Sequence, residues 1–391
     1  MKALRNYLDK VKPNFEPGGK FEKLWSVYDG FETFLFVPNT TAPKKGVQIH
    51  DSADSKRLMS IVVLALIPAL LAGMYNIGYQ HYLAIGEQAS WFAMFLFGFL
   101  AVLPKIVVSY GVGLGIEFAV AQVKHHEIQE GFLVSGMLIP MIVPVETPLW
   151  MIAVATAFAV IFIKEIFGGT GMNVFNVALM TRAFLFFAYP AYISGDSVFV
   201  RLSDTFGLGG GKAVEGFSGA TPLSYAAAGK DVVNIVGEPI TWVDGFLGLI
   251  PGSIGETSTL AILIGAVILL VTKVASWRIM LSVVAGGALM AFITHAAGAS
   301  PITVAEQLCF GGFAFAAVFM ATDPVTASRT NTGKYIYGFL IGVITIIIRV
   351  FNTGYPEGAM LAILLMNVFA PLIDFYVVEA NIKRRLKRAN A

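Results

Sequence analysis

The chain has 391 residues, of which 56% are hydrophobic and only 13% are charged, and its mean hydropathy is +0.73. This composition excludes a soluble globular domain and predicts a polytopic membrane protein. The net charge of +2 gives no reason to expect a nucleic-acid partner. Cys309 is the one cysteine, which excludes disulfides within the chain, cysteine-bound iron–sulfur clusters and thiolate zinc sites. Any redox chemistry carried by this chain therefore needs an organic cofactor.

Ten segments are long and apolar enough to be predicted as membrane spans, which makes the expected fold class all-α. The criterion is roughly 20 mostly apolar residues, with somewhat fewer where neighbouring helices shelter the segment. In chain order the predicted spans are residues 57–79, 92–120, 131–146, 149–167, 174–193, 256–274, 278–297, 304–321, 334–350 and 358–378. An even number of spans places both termini on the same side of the membrane.

The basic residues give the predicted bundle an orientation. Of the 27 lysines and arginines, ten lie within residues 1–57, five in the C-terminal tail and two inside predicted spans, Lys105 and Arg349. Seven more lie in connections on the same side as the termini: Lys124, Lys164, Arg182, Lys273, Arg278, Arg329 and Lys334. The opposite connections hold only Arg201, Lys212 and Lys230, all within residues 194–255. By the positive-inside rule, both termini are predicted to be cytoplasmic and residues 194–255 to be periplasmic.

Five spans in each half predict two repeats of inverted topology. Gly131-Phe132 and Gly312-Phe313 begin similar stretches, and FGGTGMNVFNVAL (from Phe167) and FNTGYPEGAMLAI (from Phe351) precede the fifth and tenth spans. Such Gly-, Asn- and Pro-rich stretches are typical of broken helices that line a site, although glycine is also common in ordinary membrane helices. The predicted division is a cytoplasmic segment 1–56, a first half 57–193, a periplasmic segment 194–255, a second half 256–378 and a basic tail 379–391.

Charged residues inside the predicted spans are candidate functional residues, because burying them in a membrane is unfavourable. The acidic candidates are Glu117 in the second span, Glu165 near the end of the fourth, Asp323 just after the eighth and Asp374 late in the tenth. Carboxylate oxygens suit a hard cation such as Na⁺, or a proton. For Glu165 and Asp374 the alternative is a solvated carboxylate at the membrane interface. The five histidines lack metal-ligand spacing, so no metal site is predicted.

The stretch FSGATPL (Phe217–Leu223) lies in the predicted periplasmic segment. Gly219 and Ala220 leave no bulk beside the Thr221 hydroxyl, and Pro222 disfavours helix at Thr221, which is predicted to be extended. Two interpretations stay open on these residues alone: an ordinary surface turn, or an accessible hydroxyl that another enzyme modifies.

The sequence resembles the B subunit of the Na⁺-translocating NADH:quinone reductase (the NqrB family) and, more distantly, the D subunit of the Rnf complex. The long N-terminal extension favours the Na⁺-pump family. The resemblance covers nearly the whole chain and is carried by FEPGGKFEK (from Phe15), DSADSKRLM (Asp51), KEIFGGTGMN (Lys164), TRAFLFFAYPAYISGD (Thr181), PGSIGETSTLA (Pro251), ASWRI (Ala275), GGFAF (Gly311), MATDPVTAS (Met320), YPEGAMLAIL (Tyr355) and NIKRRL (Asn381).

The resemblance implies a covalent FMN joined through its phosphate to Thr221. Ser218, Gly219, Ala220, Pro222 and Leu223 complete the motif of this family. It also implies a non-covalent riboflavin, for which the stretch Gly168–Asn173 is a guess, and ubiquinone as the electron acceptor. The implied fold is similar to the inverted-repeat channels for urea and ammonium.

The resemblance further implies that Glu117, Asp323 and Asp374 act in Na⁺ uptake or coupling. The family often has a Gly-Gly pair that borders the quinone site, where this chain reads Gly113-Leu114-Gly115. The implied partners are the other five subunits (A, C, D, E and F) of a six-subunit complex in the lipid of a bacterial inner membrane, and a flavin transferase for maturation.

Two alternative functions remain at this stage. A D subunit of the Rnf type would carry the same flavin but serve ferredoxin and NAD⁺, with no quinone. A channel or secondary transporter of the same topology would carry no flavin on Thr221 and need no partner subunits.

Overall fold

The fold is taken from a computed structural model, which describes residues 2–16, 18–36, 55–124, 131–194, 198–202, 219–352, 354–355 and 357–389. Over these residues the secondary structure is helical, and the only β-type pairing is one isolated bridge between Val233 and Pro239. The predicted all-α class is confirmed.

Fifteen α-helices are found in the described residues. They are α1 (Lys2–Val11), α2 (Trp25–Leu35), α3 (Ser55–Ile85), α4 (Trp91–Lys124), α5 (Phe132–Met141), α6 (Leu149–Phe158), α7 (Val177–Ala188), α8 (Pro222–Ala227), α9 (Trp242–Leu247), α10 (Thr259–Val271), α11 (Trp277–Ala296), α12 (Val304–Cys309), α13 (Phe313–Phe315), α14 (Asn331–Phe351) and α15 (Ala359–Ala389). Two π-helical segments, Ala159–Glu165 and Ala316–Met320, continue α6 and α13.

Among the described helices, five have the length and apolar character needed to cross a bilayer: α3, α4, α11, α14 and α15. The structure therefore supports a membrane protein. The other five predicted spans correspond to shorter or interrupted helices, so the count of ten full spans stays a prediction, as does the five-part division of the chain. These short helices end where a polar or proline-containing loop begins, and such a loop is tolerated at membrane depth only where protein surrounds it.

A repeated packing feature relates the two halves. In the first half, a Cβ added to Gly113 of α4 would overlap the Phe132 ring at the start of α5. In the second half, a Cβ added to Gly287 of α11 would overlap the Phe313 ring at the start of α13. Each glycine makes room for a buried phenylalanine in the same relative place. This correspondence agrees with the predicted repeat, while the inverted topology and the likeness to urea and ammonium channels stay predictions.

Glycine also brings the first helices of the two halves, α3 and α10, together. Added Cβ atoms at Gly73 of α3 and Gly265 of α10 would overlap the carbonyl oxygens of Ile254 and Ala65, respectively. Small residues permit this close backbone approach, which is the common basis of helix association in membranes. The first helix of each half therefore packs against the other half.

Two smaller units lie outside the main bundle. Near the chain start, the Tyr28 hydroxyl of α2 donates to the carbonyl of Leu8 at 2.9 Å, and burial, with help from the nearby Glu32, raises the pKa of Tyr28. Contacts between α2 and α4 place this unit against the bundle. The second unit is a small apolar core that holds α8 in place: Leu223, Ile240, Ile250, Ile302 and Phe310.

Two basic residues that entered the charge count are not surface residues. Lys164 and Arg182 are each 3% exposed and form buried ion pairs. Because they are neutralised inside the protein, they carry little weight under the positive-inside rule. The orientation then depends on the basic N-terminal and C-terminal segments, and it stays a prediction.

Candidate functional site

A cavity of about 160 Å³, named the main cavity below, lies between the two halves. One wall comes from the start of α3, from α5 and from the loop before α7, and the other from α10, the second π-helical segment and the loop after it. Its polar lining residues are Ser135, Lys164, Thr170, Asn173, Asn176, Thr322 and Asp323. Apolar side chains such as Val62, Leu138 and Phe319 complete the wall. A mostly apolar cavity with a few polar groups is the usual form of a cofactor or ligand site.

Asp323 links the two halves at this cavity. Its carboxylate accepts hydrogen bonds from Asn176 Nδ2 at 3.1 Å, from the Val325 backbone N–H at 3.0 Å and from Thr326 Oγ1 at 3.1 Å. Asn176 also caps α7, because its Oδ1 accepts from the Leu179 N–H at 3.1 Å. The side chain of Asn176 thus fixes both the start of α7 and the position of the carboxylate.

Glycine makes the loop before α7 possible. Gly168, Gly169 and Gly171 have φ values of +113°, +97° and +92°, a region that residues with a Cβ rarely adopt. The loop brings Thr170 and Asn173 to the cavity wall. The stretch guessed for riboflavin therefore does border a cavity, although the ligand itself stays a proposal.

Both π-helical segments contribute to the same cavity. Lys164 comes from Ala159–Glu165 and Phe319 from Ala316–Met320. A π-helical turn is uncommon and is often found at functional sites, because it changes the direction of side chains within a helix. Two such turns on one cavity support its functional role.

Glu117 forms a buried ion pair with Lys164. The two side chains are 5% and 4% exposed, and Lys164 Nζ donates to Glu117 Oε1. Glu117 Oε2 has no hydrogen-bond partner in the described part of the chain. The pair connects Glu117, in the interior of α4, to a residue of the cavity wall. The sequence singled out Glu117 but did not identify this partner.

Asp374 is held by protein donors. Its carboxylate accepts from Ser328 Oγ at 2.7 Å, from the Arg329 N–H at 2.7 Å, and from the Thr330 N–H and Oγ1 at 3.0 and 2.5 Å. Thr330 is the N-cap of α14. Asp374 therefore ties α15 to the start of α14, and its role in cation coupling stays a prediction.

Thr221 is extended, as predicted, with φ −72° and ψ 155°. It is the N-cap of α8, and its Oγ1 accepts from the Ser224 N–H at 3.3 Å. Thr221 is only 5% exposed, so the structure shows neither a surface turn nor an accessible hydroxyl at this position. The reason lies in Leu223, whose side chain enters the small core beside Phe310. Gly219, Ala220 and Pro222 are described, whereas Ser218 lies outside the described residues.

The two glycines predicted near the quinone differ in surroundings. Gly113 is buried against Phe132, whereas an added Cβ at Gly115 would meet nothing within 4 Å. Gly115 thus leaves an open place on the exposed face of α4, and Gly113 serves the packing of α5.

Sequence reasoning missed one buried charge cluster altogether. Arg182 pairs with Glu256 and Glu357. The two carboxylates were overlooked because they lie at the ends of predicted spans, 74 and 175 residues from Arg182. Among the described residues, no group of three or more His, Cys, Asp or Glu side chains is arranged to hold a metal ion.

Comparison with known proteins gives a consistent result. The chain is 46% identical to the B subunit of the Na(+)-translocating NADH-quinone reductase of Chromohalobacter salexigens, over 99% of this chain and 97% of the relative. It is also 46% identical to the corresponding subunit of Pseudomonas paraeruginosa and 45% identical to that of Azotobacter vinelandii, over 99% of each chain in both cases. The model of the NQR2, RnfD, RnfE family matches residues 43–383. The chain therefore belongs to the NQR2, RnfD, RnfE family.

Proposed function

We propose that this chain is the B subunit, embedded in the membrane, of a Na⁺-pumping NADH:ubiquinone oxidoreductase, in which it carries electrons and takes part in Na⁺ export. The observation that carries the proposal is the identity of about 45% to the named subunits over 99% of the chain. The polar cavity between the halves supports it, because a redox-driven pump needs a protected cofactor site near residues able to attract a cation. The partners are the other five subunits of the complex.

The cavity is the proposed site of a non-covalent riboflavin. Riboflavin has no phosphate, so its recognition calls for neutral hydrogen-bonding groups rather than for a cluster of basic residues. The lining supplies these groups in Thr170, Asn173 and Asn176, and apolar side chains beside them. When bound, the flavin would supply one-electron transfer, whereas the protein supplies placement and electrostatic tuning.

Thr221 is the proposed attachment point of a covalent FMN, joined as a phosphate ester to Oγ1. The small residues Gly219 and Ala220 precede it, and Leu223 anchors the following turn in the small core. Since Thr221 is buried, the flavin transferase must act while this segment is displaced from its place beside Phe310. Covalent attachment would keep the cofactor with the complex at the proposed periplasmic face.

Cation coupling is assigned to Glu117 and Asp323, with Asp374 as a third predicted member. Asp323 faces the cavity, and Glu117 reaches it through Lys164. Negative charge that arrives in a buried site must be compensated. Carboxylates next to the cavity therefore provide a physical reason for electron arrival to attract Na⁺.

The ubiquinone site is proposed beside α4 at Gly113 and Gly115. The open place at Gly115 and the contact of α2 with α4 support it. In the proposed orientation both termini are cytoplasmic, residues 194–255 are periplasmic, and the protein lies in the bacterial inner membrane.

The proposal is tested on the complete complex in proteoliposomes, by measuring NADH oxidation, ubiquinone reduction and Na⁺ uptake together. We expect Na⁺-stimulated quinone reduction with Na⁺ uptake that stops without NADH. Electron transfer between ferredoxin and NAD⁺ with no use of quinone would assign the chain to the Rnf complex. Na⁺ movement without bound flavin or partner subunits would assign it to channels or transporters.

A further inference from the structure

A second, much smaller cavity of about 10 Å³ lies close to the main one. Val177 of α7 lines the main cavity, and Leu179 and Arg182 of the same helix line the small one. The second π-helical segment contributes to both cavities, through Phe319 at the main one and Met320 at the small one.

A buried ion cluster closes the small cavity. Arg182 Nη1 donates to Glu256 Oε1 at 2.8 Å, and Nη2 donates to Glu357. Arg182, Glu256 and Glu357 have side chains that are 3%, 7% and 12% exposed. Arg182 lies on α7 of the first half, while the carboxylates precede α10 and α15. One guanidinium thus holds three distant chain segments together.

The cluster is not fully satisfied. Glu256 Oε2 and Arg182 Nε have no hydrogen-bond partner of good geometry among the residues that the structure describes, although the Ser253 hydroxyl lies close to the Glu256 carboxylate. A Cβ added to Gly312 would lie 2.6 and 3.1 Å from the two carboxylate oxygens of Glu256, so glycine there keeps the space in front of the carboxylate open. A buried carboxylate oxygen without a donor is unfavourable. Its presence beside a cavity indicates a site that a further ligand completes.

The surrounding charges define what that ligand is. Arg349 is the other buried cation nearby, and it is held by backbone carbonyls: Nε donates to Glu357 at 3.0 Å, Nη1 to Gln307 at 2.5 Å and Nη2 to Phe310 at 3.1 Å. Arg349 is therefore fixed, whereas Arg182 is held by side chains that could exchange it for another cation. Carboxylate and carbonyl oxygens favour a hard cation.

We propose that Glu256 and Glu357 form an exit site for the transported monovalent cation, and that Arg182 occupies this site as counter-ion when no cation is passing. The inference rests on the proposed function as a Na⁺ pump. An arginine stays charged in a protein, so the site opens by movement of Arg182 and not by its deprotonation. The cation replaces the guanidinium at Glu256 while Arg182 stays with Glu357. The fixed charge of Arg349 disfavours long residence, as passage through a pore requires.

The position of this cluster also connects it to the proposed flavin segment. Leu223, two residues after Thr221, packs against Gly311, and Arg349 Nη2 lies near the same point: a Cβ built on Gly311 would be 2.5 Å from Leu223 Cδ1 and 3.4 Å from Arg349 Nη2. A change in charge or position at Thr221 therefore reaches the cluster through only a few contacts. The exit site is thus well placed to respond to electron transfer at the outer face.

The test uses the complete complex in proteoliposomes without NADH, under an imposed Na⁺ gradient. The wild-type complex holds the gradient. We expect Arg182→Gln to raise passive Na⁺ flux by about tenfold or more, because Glu256 becomes available to Na⁺ while the closing guanidinium is absent. The double variant Arg182→Gln/Glu256→Gln returns the flux close to the wild-type value, because it lacks the carboxylate ligand. Arg278→Gln, which replaces an arginine at the start of α11, is the matched control, and we expect it to keep the low Na⁺ flux of the wild-type complex.

A second readout does not depend on how Arg182→Gln folds. Glu256→Gln keeps the shape of the side chain, and we expect it to lower the number of Na⁺ ions moved per NADH by about fivefold while NADH oxidation continues. An unchanged ratio in Glu256→Gln overturns the inference. The inference is also overturned if the Arg182→Gln complex lets choline pass as readily as Na⁺ and if this leak persists in the double variant. A wild-type complex that moves no Na⁺ with NADH overturns the proposed function as well.

Discussion

Asn176 of the first half donates a hydrogen bond to Asp323 of the second half at 3.1 Å, across the wall of the main cavity. Because Asn176 is also the N-cap of α7, the position of the carboxylate depends on how the two halves meet. A change in the cavity contents that moves α7 would therefore move Asp323. This relationship gives the cavity a direct connection to a cation-attracting group.

Asn173→Ala tests whether the cavity holds riboflavin. Asn173 lines the cavity and also donates to the Phe175 carbonyl at 2.9 Å. We expect the variant to lose most of the extractable flavin while the covalent flavin is retained, because the amide is a proposed ligand of riboflavin and also supports the loop. The measurement is the flavin released by mild denaturation, separated by chromatography. Asn234→Ala, at an exposed turn, is the control and keeps its flavin; equal flavin in both variants would remove riboflavin from this cavity.

Asp323→Asn and Asp374→Asn are expected to differ in their effects. Asp323 faces the cavity, so Asp323→Asn is predicted to raise the Na⁺ concentration for half-maximal activity by roughly tenfold. Asp374 accepts four hydrogen bonds that support the start of α14, so Asp374→Asn is predicted chiefly to lower thermal stability. Na⁺ titration of quinone reduction and thermal unfolding in detergent measure the two quantities. If Asp323→Asn has the wild-type Na⁺ requirement, Asp323 does not act in Na⁺ coupling.

The Glu117–Lys164 pair is expected to behave as a coupled unit. Removing one member of a buried ion pair leaves an uncompensated charge and typically destabilises a protein by about 3–5 kcal/mol, whereas replacing both is much less harmful. Lys164→Met and Glu117→Gln should each lower thermal stability, and the double variant should recover most of the loss. Additive losses in this double-mutant cycle would show that the two side chains do not depend on each other.

Gly113→Ala and Gly115→Ala form a matched pair on one helix. The new Cβ at Gly113 would overlap the fully buried Phe132 ring, and overpacking of this kind destabilises by about 1–3 kcal/mol. Gly115→Ala meets open space and should leave stability unchanged. Thermal unfolding compares the two, and Gly113→Ala/Phe132→Leu should restore stability. A quinone KM that rises in Gly115→Ala alone would support the proposed quinone site, whereas a Gly115→Ala variant with unchanged kinetics would argue against it.

The sequence predicted the long helices well, because runs such as those in α3, α4 and α11 are apolar over their full length. Helix ends were less predictable: α7 begins at Val177 because the Asn176 side chain caps it, a short-range hydrogen bond that hydropathy does not register. The extended backbone at Thr221 followed from Pro222. The burial of Thr221 could not be predicted from the sequence, since it depends on where Leu223 packs in three dimensions.

Among the charged residues, too, some features could be predicted from the sequence and others could not. Glu117 could be singled out because a carboxylate in an apolar run is unusual. Its partner Lys164 was assigned to a cytoplasmic connection, and Arg182 was treated in the same way. Both pairings join residues far apart in the chain, so no local pattern could reveal them.

The most direct test of the proposed function is whether Thr221 carries flavin. The chain is co-expressed with a periplasmic flavin transferase, separated on a denaturing gel, viewed under ultraviolet light and analysed by peptide mass. We predict fluorescence that survives denaturation, maps to a Thr221 peptide, is lost in Thr221→Ala and is kept in Thr241→Ala, which replaces another N-cap threonine of the same segment. A dark band of unmodified peptide, with the transferase active on a control substrate, would contradict the flavoprotein assignment and favour a transporter.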